Sequence, residues 1–225
     1  MEYSSALLAR TSQIRSALFR RFDHSFGRKL LGFAAHNCYV AGGFPRDGFL
    51  DRLEAARDVD LFIHRAIEGP LLDEIAGTGH LTKGPFGAWR WYPRDQGQYL
   101  DIVIIECFDN GLDRCKSIQD CLAQFDATVN AVAIDLVSDE CIVHEHAFSD
   151  MQAKLIRAVR LDFPDERVST QTALTRNAIL WNRLDRLCRR LDFQFEPATA
   201  RWIRSRDHFA QESLEFDCVF GTEAV

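Results

Sequence analysis

No stretch of the 225-residue chain is long and apolar enough to cross a lipid bilayer as a helix. The first residues include Glu2 and Arg10 and lack the apolar core of a signal peptide. Internal repeats and low-complexity segments are also absent from the sequence, which argues against a solenoid. We therefore expect a cytoplasmic protein without a membrane partner, whose 47% hydrophobic residues can bury a substantial core.

A disulfide framework and a cysteine zinc site are equally unsupported. The seven cysteines are an odd number, they are scattered along the chain, and no two of them form a Cys-x-x-Cys motif. This pattern is typical of reduced thiols, most of which serve as small core residues.

An overall excess of basic residues, which is common in proteins that bind nucleic acid, is missing as well. The formal net charge is −6, with 27 basic and 33 acidic residues. The charge is unevenly distributed, because residues 1–153 carry −7, residues 154–206 carry +6 and residues 207–225 carry −5. The basic block is able to hold a polyanion, although an arginine-rich solvated surface is its simpler interpretation.

Two adjacent glycines mark the most informative part of the chain. A short apolar run, residues 38–41, ends at Gly42 and Gly43. Paired glycines allow positive φ angles and can expose backbone N–H groups to a ligand. Such a turn, leading into a helix, is suited to binding a phosphate. The pattern predicts that helix over residues 45–53, with Pro45 in its first turn.

Two aspartates follow in an apolar segment, residues 58–63, that reads as a strand. Side chains alternate between the faces of a strand, so Asp58 and Asp60 point the same way. Two carboxylates on one face repel each other, and a divalent metal between them is the usual compensation. Taken alone, the pair is better explained as solvated residues at a strand end.

Several segments occur together in one order: Gly42-Gly43-x-x-Arg46-Asp47, Asp58-x-Asp60, Asp126-Ala-Thr-Val-Asn130-Ala131, and residues 150–159. In this combination the chain resembles the head domain of class II CCA-adding enzymes and bacterial poly(A) polymerases. The resemblance extends over roughly residues 36 to 196. The resemblance is specific in the head domain and weak in the following helical segment, which is known as the neck in this family.

The resemblance implies an α/β fold of the nucleotidyltransferase (polymerase-beta-like) type, a mixed sheet of about five strands with flanking helices and a short helical neck. It implies a head over residues 36–152 and a neck-like extension over 153–208. Periodicity and charge add N-terminal helices over residues 1–35 and an acidic tail over 209–225. The implied activity is metal-dependent transfer of NMP from an NTP, such as ATP, to an acceptor hydroxyl. Two Mg²⁺ ions, or Mn²⁺ in their place, are the implied cofactors.

The resemblance also assigns roles to residues. Asp58, Asp60 and Asp101 are implied to hold the metals, with Asp101 at the start of a central strand as the third carboxylate. The implied nucleotide-binding residues are Gly42, Gly43, Arg46, Asp47, Asp126 and Asn130. Alternatives stay open for four of them. Arg46 and Asp47 can form an ion pair that only fixes the turn, and Asp126 and Asn130 can be a capping residue and a buried, hydrogen-bonded amide.

The acceptor is less well defined than the reaction. An arginine stripe on a predicted helix over residues 170–191 could hold the 3′ end of an RNA or tRNA, and it comprises Arg176, Arg183, Arg186 and Arg190. The chain departs from the family where Gln124 and Phe125 replace an Arg-Arg pair. The chain also lacks the family motif that reads the base of the incoming nucleotide.

These departures leave other functions open. The acceptor could be a protein or a small molecule, and the chain could be a nucleotide- or RNA-binding module without turnover, or an assembly subunit. Base preference and oligomeric state are not determined by the sequence.

Hydrophobic periodicity predicts the remaining elements. Helices are expected over residues 4–20, in a second segment that ends at about residue 36, over 71–75 and 117–124, continuously after residue 150, and over 197–206. Strands are expected over residues 38–41, 58–63, 88–92, 98–107, 128–136 and 141–143. A hairpin turn is expected at residues 95–97. Trp89 and Trp91 share a strand face and are expected to pack in the core rather than stack on a base. His144 and His146 are expected to be surface residues rather than a metal site.

Overall fold

The computed structural model describes residues 2–22, 24–33, 37–56, 58–84, 87–93, 98–108, 114–168 and 172–220. The chain divides into two compact units, and each is described by itself. The first unit comprises Met1–Phe108, Arg114–Leu122 and Val132–Val143. The second contains Ala123–Ala131 and His144–Val225. The domain limits expected from the sequence stay a prediction.

The first unit alternates helices and strands. Its elements are α1 Glu2–Arg21, α2 His24–Leu31, β1 Cys38–Ala41, α3 Gly43–Phe49, β2 Val59–Ile63, α4 Glu68–Ala76, β3 Gly79–Lys83, β4 Trp89–Pro93, β5 Leu100–Ile104, α5 Ile118–Leu122, β6 Val132–Asp135 and β7 Cys141–Val143. Short 3₁₀ turns cover Leu53–Ala55, Arg65–Ile67 and Ile105–Cys107.

The seven strands form one mixed sheet in the order β3-β4-β5-β2-β1-β6-β7. Strands β2 and β5 are parallel, and every other neighbouring pair is antiparallel. The expected α/β fold with a mixed sheet and flanking helices is confirmed. The expected number of about five strands was too low.

The core of this unit lies between the sheet and the N-terminal helices. Strand β1 is buried along its whole length, which explains its apolar sequence. Trp91 on β4 is 2% exposed and stacks on Phe26 of α2 with ring centroids 4.9 Å apart. Trp89 is partly buried against the same core. The expectation that both tryptophans pack in the core is therefore confirmed.

The second unit is mainly helical. Its elements are a 3₁₀ turn Thr128–Asn130, α6 Ala147–Ala153, β8 Leu155–Ile156, α7 Arg176–Leu191, β9 Gln194–Phe195, α8 Pro197–Arg204, a 3₁₀ segment Asp207–Glu212 and α9 Ser213–Phe220. Strands β8 and β9 form a short parallel pair. Thr175 precedes α7 as its N-cap, and its side chain accepts a hydrogen bond from the backbone N–H of Ala178.

Several sequence predictions were wrong at their boundaries. The helix expected over 45–53 is α3, Gly43–Phe49, and it ends where Leu50 bonds to the Arg46 carbonyl before Asp51 adopts a positive φ. The strand expected from residue 128 begins at Val132, because residues 128–130 form a 3₁₀ turn. The continuous helix expected after residue 150 is interrupted by β8 and irregular backbone until α7 begins. The hairpin turn expected at residues 95–97 lies outside the described residues.

Candidate active site

Three aspartates lie on one face of the central sheet. Strands β2 and β5 are parallel and in register, so that Asp60 lies directly opposite Asp101. Residues that oppose each other on neighbouring strands point to the same face. Asp58 precedes Asp60 by two residues, at the entrance to β2, and is half-buried. Two of the three carboxylates expected to act together thus face each other on adjacent strands, and the third precedes the first of these strands.

Arg90 adds a positive charge to this group. It lies on β4 directly opposite Asp101. Its Nε donates to Asp101 Oδ1 at 2.8 Å and its Nη2 donates to Asp101 Oδ2 at 3.0 Å. The ion pair with Asp101 raises the pKa of Arg90 further above its usual value, although burial opposes the shift. Both oxygens of the third carboxylate therefore accept from one guanidinium.

Tyr99 connects Arg90 to the first aspartate. The Arg90 guanidinium lies over the Tyr99 ring, 4.0 Å from its centroid. The Tyr99 hydroxyl hydrogen-bonds to Asp58. Burial, followed by the negative charge of Asp58, raises the pKa of Tyr99, so the hydroxyl is neutral and donates to the carboxylate.

Arg21, the last residue of helix α1, interacts electrostatically with Asp58. Burial lowers the pKa of Arg21, while the charges of Asp58 and Glu54 act in the opposite direction. The guanidinium lies 5.7 Å from the centroid of the Phe44 ring, and Phe44 follows the two glycines. A second cation is therefore present beside Asp58.

In the glycine turn, only the first of the two residues takes the positive φ that paired glycines allow. Gly42 has φ 82°, which favours glycine, whereas Gly43 is already the first residue of α3. The Gly42 N–H donates to the Val132 carbonyl at 3.0 Å and is thus already bonded. The N–H groups of Gly43 and Phe44, in the first turn of α3, have no acceptor within the helix. They are the backbone donors left for an anion.

Arg46 and Asp47 form a buried ion pair. Arg46 is 1% exposed and Asp47 is 4% exposed. Both Nε and Nη2 of Arg46 lie 2.8 Å from Asp47 Oδ1. This is the ion pair that the alternative interpretation described, and it joins two neighbouring residues of α3. A contact between Arg46 and a phosphate stays a prediction.

The donor chemistry at this face suits a hard cation. Carboxylate oxygens are the ligands that Mg²⁺ prefers, and Mg²⁺ is commonly held by one or two carboxylates together with substrate phosphates. Asp58 and Asp60 meet that requirement. Among the residues that the structure describes, no group of three or more His, Cys, Asp or Glu side chains is arranged to hold a metal.

The second unit contains the other two expected nucleotide-binding residues. Asp126 Oδ1 accepts from the Ala127 N–H at 2.7 Å and from Asn130 Nδ2 at 2.9 Å. Asp126 Oδ2 accepts from Arg183 Nε at 3.1 Å. Asn130 is 7% exposed. The geometry matches the structural alternative, a turn-capping aspartate and a buried amide, and a role toward the nucleotide is untested.

The arginine stripe of α7 is partly engaged within the second unit. Besides the contact of Arg183 with Asp126, Arg186 pairs with Asp217 at 2.6 Å and stacks over Phe216. Arg176 is the first residue of α7, and Arg190 is exposed near its end. Two of the four arginines expected to hold RNA thus bind acidic side chains of the same unit.

Sequence reasoning missed Arg90, Tyr99 and Arg21. A signal was present for Arg90, a single charged residue between two core tryptophans, which must point to the face opposite theirs. No comparable signal exists for Arg21, because its place beside Asp58 depends on how α1 packs.

Two other features lie apart from the aspartates. His144 and His146, in the second unit, have ring centroids 5.7 Å apart, and burial lowers the pKa of His144. A depression of about 430 Å³ is lined by Arg28, Lys29, Gly32, Phe33 and Glu74. It contains none of the candidate residues.

No protein-family model matches the chain, and no curated protein sequence is recognisably similar to it. Solved structures do match. The Thermotoga maritima CCA-adding enzyme complexed with tRNA is 23% identical, with a TM-score of 0.63 over 85% of this chain and 44% of that one. A CCA-adding enzyme with CTP is 23% identical, with a TM-score of 0.62 over 94% of this chain and 47% of that one.

A tRNA nucleotidyltransferase complexed with a primer tRNA and an incoming ATP analogue is 21% identical, with a TM-score of 0.58 over 82% of this chain and 50% of that one. The chain therefore spans about half the length of the structures that it matches. At these identities the likeness shows a shared fold. Separately, no helix in the described part of the chain is long and apolar enough to cross a membrane.

Proposed function

We propose that the protein is a metal-dependent nucleotidyltransferase that moves NMP from an NTP to an acceptor hydroxyl and releases pyrophosphate. The observation that carries this proposal is the register of β2 and β5, which sets Asp60 directly opposite Asp101, two residues after Asp58. The fold shared with CCA-adding enzymes supports it.

In this proposal the chain mainly positions the reactants. The N–H groups of Gly43 and Phe44 at the start of α3 bind the triphosphate, and Arg21 adds positive charge beside it. The acceptor oxygen loses its proton to solvent and forms a bond to the α-phosphorus, while the bond from that phosphorus to the β-bridging oxygen breaks and pyrophosphate leaves. Asp58 and Asp60 would hold Mg²⁺, which supplies charge neutralisation at the phosphates when bound.

An RNA 3′ end is the acceptor that we propose first. Matched structures contain tRNA or a primer tRNA, and Arg190 on α7 is exposed. A protein or small-molecule acceptor is the alternative. It is favoured by the internal pairing of Arg183 and Arg186.

A binding module without turnover is a second candidate function. The specific observation in its favour is the bidentate engagement of Asp101 by Arg90, which occupies the third carboxylate. Such a module binds NTP in the presence of a divalent metal without releasing pyrophosphate.

Pyrophosphate release from each of the four NTPs with Mg²⁺, with and without total RNA, tests the proposal. We expect release from the wild type and a loss of more than about 100-fold in Asp58→Asn/Asp60→Asn, because even residues that only support metal ligands contribute 10- to 100-fold. A matched control, Asp73→Asn/Asp165→Asn, removes two exposed carboxylates and should retain activity.

The pattern of release identifies the acceptor. Release that requires RNA supports an RNA 3′ end, and release without RNA supports a protein or small-molecule acceptor. No release from the wild type under any of these conditions would contradict the enzyme proposal and favour the binding module.

A further inference from the structure

The ion pair between Arg90 and Asp101 occupies a residue that the expected two-metal arrangement needs. The two residues face each other across β4 and β5, and their side chains are 24% and 18% exposed. Because each donor of the guanidinium meets a different carboxylate oxygen, at 2.8 and 3.0 Å, the pair has the planar fork geometry of a strong charge-assisted contact.

Neighbouring side chains hold Arg90 in this orientation. Its guanidinium stacks on Tyr99 and also hydrogen-bonds to Tyr92, and the two tyrosine rings lie 5.4 Å apart. The Tyr99 hydroxyl in turn bonds to Asp58. Arg90 is therefore built into the carboxylate face and would need several contacts to break before it could leave Asp101.

The charge at this face suits a single divalent cation. Arg90 pairs with Asp101 and Arg21 interacts with Asp58, so positive charge is already present at this face. A second divalent cation would add more positive charge beside both arginines. A cation bound by Asp58 and Asp60 alone also has the ligand number that Mg²⁺ commonly takes from a protein.

We propose that Arg90 keeps Asp101 out of the metal site, so that this protein binds one divalent cation through Asp58 and Asp60. Arg90 is thus a positioning residue whose guanidinium supplies, at Asp101, the positive charge that a second cation would otherwise supply. This inference rests on the proposed function for the identity of the site, but its test does not require turnover.

Titration of the full-length protein with Mn²⁺ alone, followed by the EPR signal of the free ion, counts the bound cations. We expect one Mn²⁺ per chain in the wild type and none at this site in Asp58→Asn/Asp60→Asn. Arg90→Met keeps the apolar stem of the side chain and removes its charge, and we expect this variant to bind two.

Further variants separate the metal count from folding and from overall charge. Arg90→Lys keeps a cation beside Asp101 and should bind one Mn²⁺, as should the exposed-arginine control Arg201→Met. Arg90→Met/Asp101→Asn should return to one, because the second ion needs Asp101. If thermal unfolding shows that Arg90→Met is not folded, Arg90→Gln takes its place with the same expected count.

Two Mn²⁺ ions or none in the wild type would overturn the inference, as would a single ion in folded Arg90→Met or Arg90→Gln. Pyrophosphate release together with two ions in the wild type would leave the proposed function intact and refute only the role of Arg90. A count of one in the wild type and two in Arg90→Met, without any release, would support the role of Arg90 and refute the enzyme.

Discussion

Asp150 illustrates how burial determines what a single ion pair contributes. Its side chain is 3% exposed and accepts from Thr128 Oγ1 at 2.7 Å and from Arg157 Nε and Nη2 at 2.9 and 3.2 Å. Arg157 also lies 3.8 Å from Glu196. The bond to Asp150 raises the pKa of Arg157, in spite of partial burial. One carboxylate thus ties α6 to the 3₁₀ turn at residues 128–130 and to the backbone after β8.

We predict that Asp150→Ala lowers the free energy of unfolding by about 3 kcal/mol, because it leaves a buried hydroxyl and a guanidinium without their acceptor. Urea unfolding monitored by circular dichroism measures this loss.

The matched control is Asp162→Ala. Asp162 forms a similar bidentate pair with Arg160, at 2.7 and 2.8 Å, but its side chain is 67% exposed. Its removal should cost less than about 1 kcal/mol. Equal losses for the two variants would refute the argument from burial.

Single residues also show where the sequence was sufficient and where it was not. The alternation of a strand predicts that Asp58 and Asp60 share a face, and the structure sets Asp60 opposite Asp101. The partner of Asp101 on the other side depends on the register of β4 and β5. A shift by two residues would keep Arg90 on the same face but move it away from Asp101, and nothing in the local sequence fixes that register.

Among the elements, α3 depends on close packing against α1. A Cβ atom added at Gly48 would lie 2.5 and 2.6 Å from Cγ1 and Cδ1 of Ile14, which is fully buried. These distances are too short for contact without movement, and the surrounding core restricts Ile14. The glycine is thus required by the approach of the two helices.

We predict that Gly48→Ala destabilises the protein by about 1–3 kcal/mol, as an overpacked core substitution does. Combining it with Ile14→Ala should cost less than the sum of the two single changes, since the second substitution removes the atoms that clash. Thermal and urea unfolding of the three variants measure the coupling.

Gly69→Ala is the control for this prediction. Gly69 is also helical, in α4, but a Cβ atom there meets nothing within 4 Å. The substitution should be neutral or stabilising by up to about 1 kcal/mol, because alanine favours the helix. Destabilisation by both substitutions alike would contradict the packing argument.

Helices and strands with a strong hydrophobic periodicity could be predicted from the sequence, and those with a weak periodicity could not. Strand β3, Gly79–Lys83, was missed because it begins with a glycine and has few β-branched residues, yet it pairs with β4 throughout. Helix α7 was predicted from its leucine stripe. The stretch between α6 and α7 was predicted to be helical, but it is held instead by β8 and by long-range contacts such as Arg157 with Asp150, which local patterns do not reveal.

At the scale of the whole molecule, the basic block of residues 154–206 is the feature that bears on an RNA acceptor. Its charge of +6 overstates what is available to a polyanion, because several of its arginines pair with acidic residues of the second unit. Arg183 pairs with Asp126, whose side chain is 8% exposed, and Arg186 both pairs with Asp217 and stacks on Phe216. Exchanging these contacts for phosphates would leave the aspartates uncompensated.

We therefore predict a shallow salt dependence for the binding of single-stranded RNA. Each phosphate contact contributes about −0.7 to the slope of log K against log salt, so that four contacts from the stripe would give about −2.8. The internal pairs of Arg183 and Arg186 should make the slope shallower than this, at about −1.4 or less in magnitude. Fluorescence anisotropy of a labelled single-stranded RNA, recorded between 50 and 200 mM salt, measures this slope. The affinity of phosphate-binding proteins changes strongly over this range of salt.

The variants Arg190→Gln and Arg186→Gln test which arginines contribute. Arg190 is exposed, whereas the Arg186 side chain is only 20% exposed beside Asp217. Because of this difference in exposure, removal of Arg190 should make the slope shallower by about 0.7 and removal of Arg186 should leave it unchanged. A wild-type slope of −2.8 or steeper would show that the internal pairs open for RNA. The absence of binding at 50 mM salt would instead turn the proposal toward a protein or small-molecule acceptor, because a phosphate backbone held by even two arginines binds most tightly at low salt.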